Sequence, residues 1–153
     1  MTHLASRQTL PDTRPSITHR FKIHGSQGDY SCYITVGFFE PEEGSSERQM
    51  QRPGEVFIRI GKQGSTLNGL LDVIGILISY GLQYGVPLGD LVSKLSGSNF
   101  EPLGPTSNPD IEECSSIIDY VFRWLDKEYG PFDRPPSTSQ LVEGNDEPRP
   151  AAV

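Results

Sequence analysis

The chain is poor in the residues that catalysis and metal binding draw on. It has two cysteines, Cys32 and Cys114, with no C-x-x-C pair. That excludes a disulfide framework and a zinc ribbon, and it points to a reducing compartment. Its three histidines, His3, His19 and His24, lie in or before the first expected strand, with neither H-E-x-x-H spacing nor a companion cysteine. No metal set is expected from them, and they read as surface residues. No G-x-S-x-G or comparable nucleophile motif occurs. Carboxylates are plentiful, but they lie in polar stretches that cannot hold them in a cleft, so no catalytic residue is assigned. Basic residues are outnumbered 13 to 20 by acidic ones, a net charge of -7, which argues against a protein that grips nucleic acid by neutralising phosphates. The start of the sequence shows no charged-then-apolar leader, so the expected location is cytoplasmic.

Against these shortages stands one long apolar run, residues 67–84. Leu67, Leu70, Leu71, Ile74, Ile78 and Leu82 recur at intervals of three and four, the period of a helix face. Val73, Ile76, Leu77, Tyr80 and Tyr84 widen that face and leave a narrow polar line of Asn68, Asp72, Ser79 and Gln83. A mostly buried helix is expected. A membrane span is rejected, because Asn68, Asp72 and three glycines interrupt the run before the ~20 apolar residues a bilayer requires.

Three strands precede it. Residues 17–23 alternate, with Ile17, His19, Phe21 and Ile23 on one side. After a Gly25-Ser-Gln-Gly-Asp29 turn, residues 30–39 set Tyr30, Cys32, Ile34, Val36 and Phe38 toward a core. Residues 55–60 do the same with Val56, Ile58 and Ile60. The acidic connection 40–53 is longer than an ordinary hairpin loop and reads as a solvated insertion. Gly85 and Pro87 end the long helix, a short helix covers 88–95, and a final helix is expected from Asn108-Pro109, with Ile111, Cys114, Ile117, Ile118, Val121, Phe122 and Leu125 as its core line. Both cysteines thus read as core thiols. Residues 1–15 form a flexible lead-in, 16–130 the folded domain, and 131–153 a disordered acidic, Pro-rich tail. The expected class is α+β: a three-stranded antiparallel sheet followed by two long helices and one short helix packed on one face.

Two surfaces invite a functional reading. Gly61-Lys-Gln-Gly-Ser-Thr66 joins the third strand to the long helix, with Ser65 as the expected N-cap. Backbone N–H groups of Gly64, Ser65 and Thr66 beside Lys62 form a candidate anion or nucleotide site, although the turn lacks the G-x-x-x-x-G-K-[ST] pattern and helix capping, the favoured reading, needs no ligand to explain it. Tyr33, Phe39 and Phe57 fall on the second face of the sheet and form a candidate partner-docking patch.

The strings Leu10-Pro-Asp-Thr-Arg-Pro-Ser-Ile-Thr-His-Arg-Phe21, Tyr33-Ile-Thr-Val-Gly37, Gly54-Glu-Val-Phe-Ile58, Lys62-Gln-Gly-Ser-Thr66, Leu82-Gln-Tyr-Gly-Val-Pro-Leu88, Phe100-Glu-Pro102, Asn108-Pro-Asp-Ile111 and Asp119-Tyr-Val-Phe-Arg-Trp-Leu125 carry a resemblance to one family, collinear over about residues 9–130. It resembles the TSCPD domain, the C-terminal accessory segment of adenosylcobalamin-dependent (class II) ribonucleotide reductases. Thr106-Ser-Asn-Pro-Asp110 matches the signature that names the domain, with Asn108 where the name has cysteine. The resemblance implies an accessory or regulatory part of a reductase that makes deoxyribonucleotides by a thiyl radical. It brings none of the catalytic barrel, redox cysteine pairs or cysteine-rich tail. The implied partner is the catalytic chain of a class II reductase, as in split systems, and adenosylcobalamin belongs to that partner, with no cofactor bound by this chain. A free-standing nucleotide-binding module is the alternative; neither nucleic acid nor a membrane is an expected partner.

Overall fold

Alternating apolar side chains build a meander, and its register decides everything packed upon it. The computed structural model describes residues 5–41, 43–44, 51–61 and 64–133. Strands β1 (Ser16–Gly25), β2 (Gly28–Phe38) and β3 (Pro53–Ile60) pair antiparallel in the order β1-β2-β3. Ser26 and Gln27 close the first hairpin, where Gly28 takes φ +123°, a left-handed conformation that only glycine adopts without strain. Register aligns Phe21, Cys32 and Ile60 in one row, and His19, Ile34 and Ile58 in the next. Apart from His19 these side chains are buried. Ile17, which shares the parity of Phe21 and Ile23, is 41% exposed near the start of β1.

The long apolar run forms α1 (Ser65–Gln83). Its N-cap is Gly64 rather than Ser65, and no side chain caps it. The expectation of a mostly buried helix is overturned. Leu71, Ile78 and Leu82 enter the core, but Leu70, Val73, Ile76, Leu77, Tyr80 and Tyr84 are all exposed. The polar line divides: Asp72 is exposed, while Asn68, Ser79 and Gln83 lie along the free edge of β3. Ser79 Oγ accepts from Val56 N at 3.0 Å. Asn68 Oδ1 accepts from Ile60 N at 3.1 Å while its amide donates to Ile60 O at 3.0 Å. Gln83 Nε2 donates to Gly54 O at 3.0 Å. Side chains thus complete a ladder that a fourth strand would otherwise supply. Gly75 permits the approach, since a Cβ there would stand 2.9 Å from Val56 O. Thr66–Gln83 has the length and mean hydropathy, 1.2, of a span, yet Asn68, Ser79 and Gln83 are committed to this sheet edge.

Helix α2 (Leu88–Leu95) follows Gly85, φ +88°, as expected. The final helix begins later than expected: α3 covers Ile117–Asp133. Asn108 does not cap a helix. Its Oδ1 accepts from Asp110 N at 3.0 Å, closing a local turn that competes with helix formation. The start of α3 is instead fixed by Ser116 Oγ, which accepts from Asp119 N at 2.9 Å, with Asp119 Oδ2 reaching back to Ser115 N at 3.0 Å. Ile111 and Cys114 are buried as expected, but outside that helix, and Cys114 lies in a two-residue ribbon of β4 (Gly104–Pro105) and β5 (Glu113–Cys114). From Ile117 to Leu125 every residue of α3 except Arg123 is buried. Tyr120 stacks on Phe21 at 3.6 Å between centroids, which seats the helix on the sheet.

Residues 5–15, expected as a flexible lead-in, form no helix or strand but are tied down. Gln8 N donates to Gln83 O at 2.8 Å. The Arg14 guanidinium grips both carboxylate oxygens of Glu55, at 2.5 and 2.7 Å. Of the acidic insertion, 42 and 45–50 lie outside the described residues, as does 134–153 of the expected tail.

Candidate functional site

With the inner parity of each strand in the core, the opposite parity forms an outer face. The register aligns Arg20, Tyr33 and Arg59 in one row and Thr18, Thr35 and Phe57 in the next. The Arg20 guanidinium lies 6.0 Å from the Tyr33 ring, and the Thr18 and Thr35 hydroxyls are 3.2 Å apart. Tyr33 is 38% and Phe57 42% exposed. Arg20, Lys22 and Arg59 lie alongside them, and the carboxylate next to Phe57 on this face, Glu55, is held by Arg14. Aromatic rings set among guanidinium groups suit a partner that offers carboxylates around an apolar contact.

Phe39 does not join this patch. A register shift between Gly37 and Phe38 turns the strand, and Phe39 is buried at 4% exposure. The Arg52 guanidinium covers its ring at 4.4 Å. There it helps line a cavity of about 260 Å³ with Leu82, Val86, Leu88 and Tyr129. Period-two alternation missed this because it assumes an unbroken strand.

Lys62 lies outside the described residues, as does the side chain of Ser65. Gly64 sits at the helix start in extended conformation, and Thr66 is exposed.

The signature segment does something that the sequence did not reveal: it closes the other edge of the sheet. Lys22 N donates to Ser107 Oγ at 2.9 Å and Ser107 N to Lys22 O at 3.1 Å, while Ile23 bridges Thr106. Asn108 Nδ2 donates to the Tyr120 hydroxyl at 2.9 Å, and the same hydroxyl lies 2.8 Å from His19 Nε2. His19, expected at the surface, stacks on Trp124 at 4.6 Å. Burial lowers its pKa, opposed by the Glu128 charge, and raises that of Tyr120 to about 12. A neutral imidazole that accepts the phenol proton satisfies all three groups. The Thr106–Asp110 segment therefore knots β1 to α3. Asn108, standing where the domain name has cysteine, holds a phenol rather than a thiol's partner. An open groove of about 490 Å³ runs beside it, between Arg20, Asp110, Trp124 and Glu128. Arg20 is shared between this groove and the outer face, so the two adjoin.

Both thiols are buried and free. Burial pushes Cys32 up to about 12 and Cys114 to about 11, which disfavours the thiolate a nucleophile needs.

The TSCPD domain profile matches residues 6–129. Among curated proteins, a vitamin B12-dependent ribonucleotide reductase of Rhodopirellula baltica is 46% identical over 119 residues, 78% of this chain and 10% of that protein. One of Streptomyces avermitilis is 43% identical over 127 residues, 83% of this chain and 12% of the relative. One of Bradyrhizobium diazoefficiens is 35% identical over 127 residues, 9% of its length. The chain thus spans between about a tenth and a fifth of the length of the reductases it matches. No solved structure matches it.

Proposed function

Because the chain belongs to the TSCPD-domain family, whose matched relatives are named vitamin B12-dependent ribonucleotide reductases, we propose that it is an accessory domain of such a reductase, supporting deoxyribonucleotide synthesis by docking on a catalytic portion that it does not itself contain. The observation that carries this reading is the outer sheet face. Side chains of α1 line one sheet edge and the signature segment pairs with the other at Lys22 and Ile23, which leaves Tyr33 and Phe57, with Arg20, Lys22 and Arg59 beside them, as an exposed aromatic and cationic surface. Its complement is an acidic rim around an apolar contact on the catalytic portion.

Adenosylcobalamin does not fit the signature groove. The imidazole of His19 beside it is held by Tyr120 and stacked on Trp124, and the groove is of a size for drug-like ligands rather than a corrinoid. In this reading the corrinoid and the radical chemistry belong to the partner, in a reducing, cytoplasmic setting that suits two unpaired thiols.

The test is binding of the purified chain to the catalytic polypeptide of its host's B12-dependent reductase, measured by calorimetry and by reductase activity with and without the chain. Binding and stimulation are expected, and Phe57→Asp should abolish both while the thermal midpoint stays nearly unchanged. No association, with full activity of the catalytic polypeptide alone, ends the proposal. Binding that survives Phe57→Asp ends the assignment of the face.

A further inference from the structure

Helix α1 presents three faces, and the described residues use only two of them. At about 100° per residue, Leu71, Ile78 and Leu82 point into the core, and Asn68, Gly75, Ser79 and Gln83 meet the edge of β3. The remaining arc, about 120° wide, carries Leu70, Val73, Ile76, Leu77, Tyr80 and Tyr84, each between 46% and 66% exposed. Thr66, Gly69 and Gly81 complete it, so the arc holds no charged residue. We propose that this arc is a self-association surface, on which α1 of a second copy of this chain packs antiparallel about a two-fold axis at Leu77.

Spacing supports a helix as the occupant. Positions 70, 73, 77, 80 and 84 step by three and four in strict alternation, the seam of a paired helix. Symmetry supports this same helix. Leu77, the most exposed of the set at 66%, stands at the midpoint of 70 and 84. A two-fold there sets Leu70 against Tyr84, and Val73 against the small Gly81.

Area and charge agree. The six side chains expose roughly 600 Å² per copy, so pairing buries at most on the order of 1,200 Å², the lower bound of a stable interface. The flanking charges are complementary rather than repulsive. The Arg7 guanidinium sits 4.7 Å above the Tyr80 ring, on the same side of the arc as Asp72. The antiparallel two-fold carries Asp72 of the second copy to within about 3 Å of the level of Tyr80 along the helix axis. Each Arg7 then faces the opposing Asp72, twice by symmetry. A parallel pair would carry Asp72 of the second copy to the opposite flank of the seam, away from Arg7.

The experiment is light scattering on the full chain at about 50 µM, with far-UV dichroism to monitor folding. The expected mass is twice 16.9 kDa, falling to the monomer in folded Leu77→Arg. Oxidised Leu77→Cys should crosslink to itself, whereas Thr66→Cys, at the end of an antiparallel seam, should not. Arg7→Asp and Asp72→Arg should each weaken the dimer at least tenfold, and together restore it. A monomer at that concentration overturns the proposal, as does a dimer indifferent to Leu77→Arg or one crosslinked through Thr66→Cys. A monomer that loses reductase binding on Leu77→Arg also overturns it, and assigns the arc to the catalytic portion. A dimer that ignores the reductase upholds it while sinking the accessory role.

Discussion

Helices α1 and α3 are both long and rich in apolar residues, yet the molecule treats them oppositely. α3 lies across the sheet and is surrounded by it and by α2, so Tyr120, Val121, Phe122 and Leu125 are fully buried. α1 stands at the sheet's edge, buries one face, hydrogen-bonds the edge with a second and leaves its third apolar face open. Apolar content therefore does not report burial; position relative to the sheet does. The longest apolar run is peripheral, and the more polar final helix is the centre of the core.

The widest test of that contrast pairs Phe122→Ala with Leu70→Ala in urea unfolding at sub-micromolar protein. The first opens a cavity in the core and should cost about 3–5 kcal/mol. The second removes an exposed side chain and should stay within ~0.5 kcal/mol. Equal costs would erase the distinction between the helices. Gly75→Val forces β-branched bulk against Val56 O and should cost about 1–3 kcal/mol, although valine is the better helix former. If it stabilises, α1 is not pressed against the edge. Ser79→Ala leaves the Val56 N–H without its partner, for about 1–2 kcal/mol, and should speed exchange of that amide; unchanged protection would show that water or another group takes its place.

The smallest effect is on the α3 side and depends on pH. Burial lowers the His19 pKa from 6.5, so the fold favours the neutral ring. Its contribution is whole above pH 6.5 and declines as the pH falls from there through the folded pKa. Stability measured between pH 5 and 7.5 should fall toward acid in the natural chain and fall less in His19→Gln. Identical slopes would remove His19 from the α3 network.

Local pattern makes much of this legible. Alternation identifies Cys32, Ile34, Val36, Val56, Ile58 and Ile60 as one face, because strand parity depends only on neighbours along the chain. Glycine and proline place the end of α1 and the start of α2 for the same reason. Where side chains answer to distant partners, the pattern fails. Asn108 looks like a helix cap because a local Asx turn and a cap share a sequence. Phe39 looks exposed because a register shift is invisible in alternation. Of the docking patch, Tyr33 and Phe57 are exposed as expected, but its cationic rim emerges only when register sets Arg20 and Arg59 on either side of Tyr33.

The sequence by itself determined the class of fold, the strands and their inner faces, two of the three helices, the burial of both thiols and the family. Only the tertiary structure decided what α1's polar line is for, which of its apolar faces stays open, and that the signature segment closes a sheet edge. The physical reason is common to all three. Backbone groups at a strand's edge must find partners, and which side chains are near enough to serve is settled by packing across the sheet, not by order along the chain.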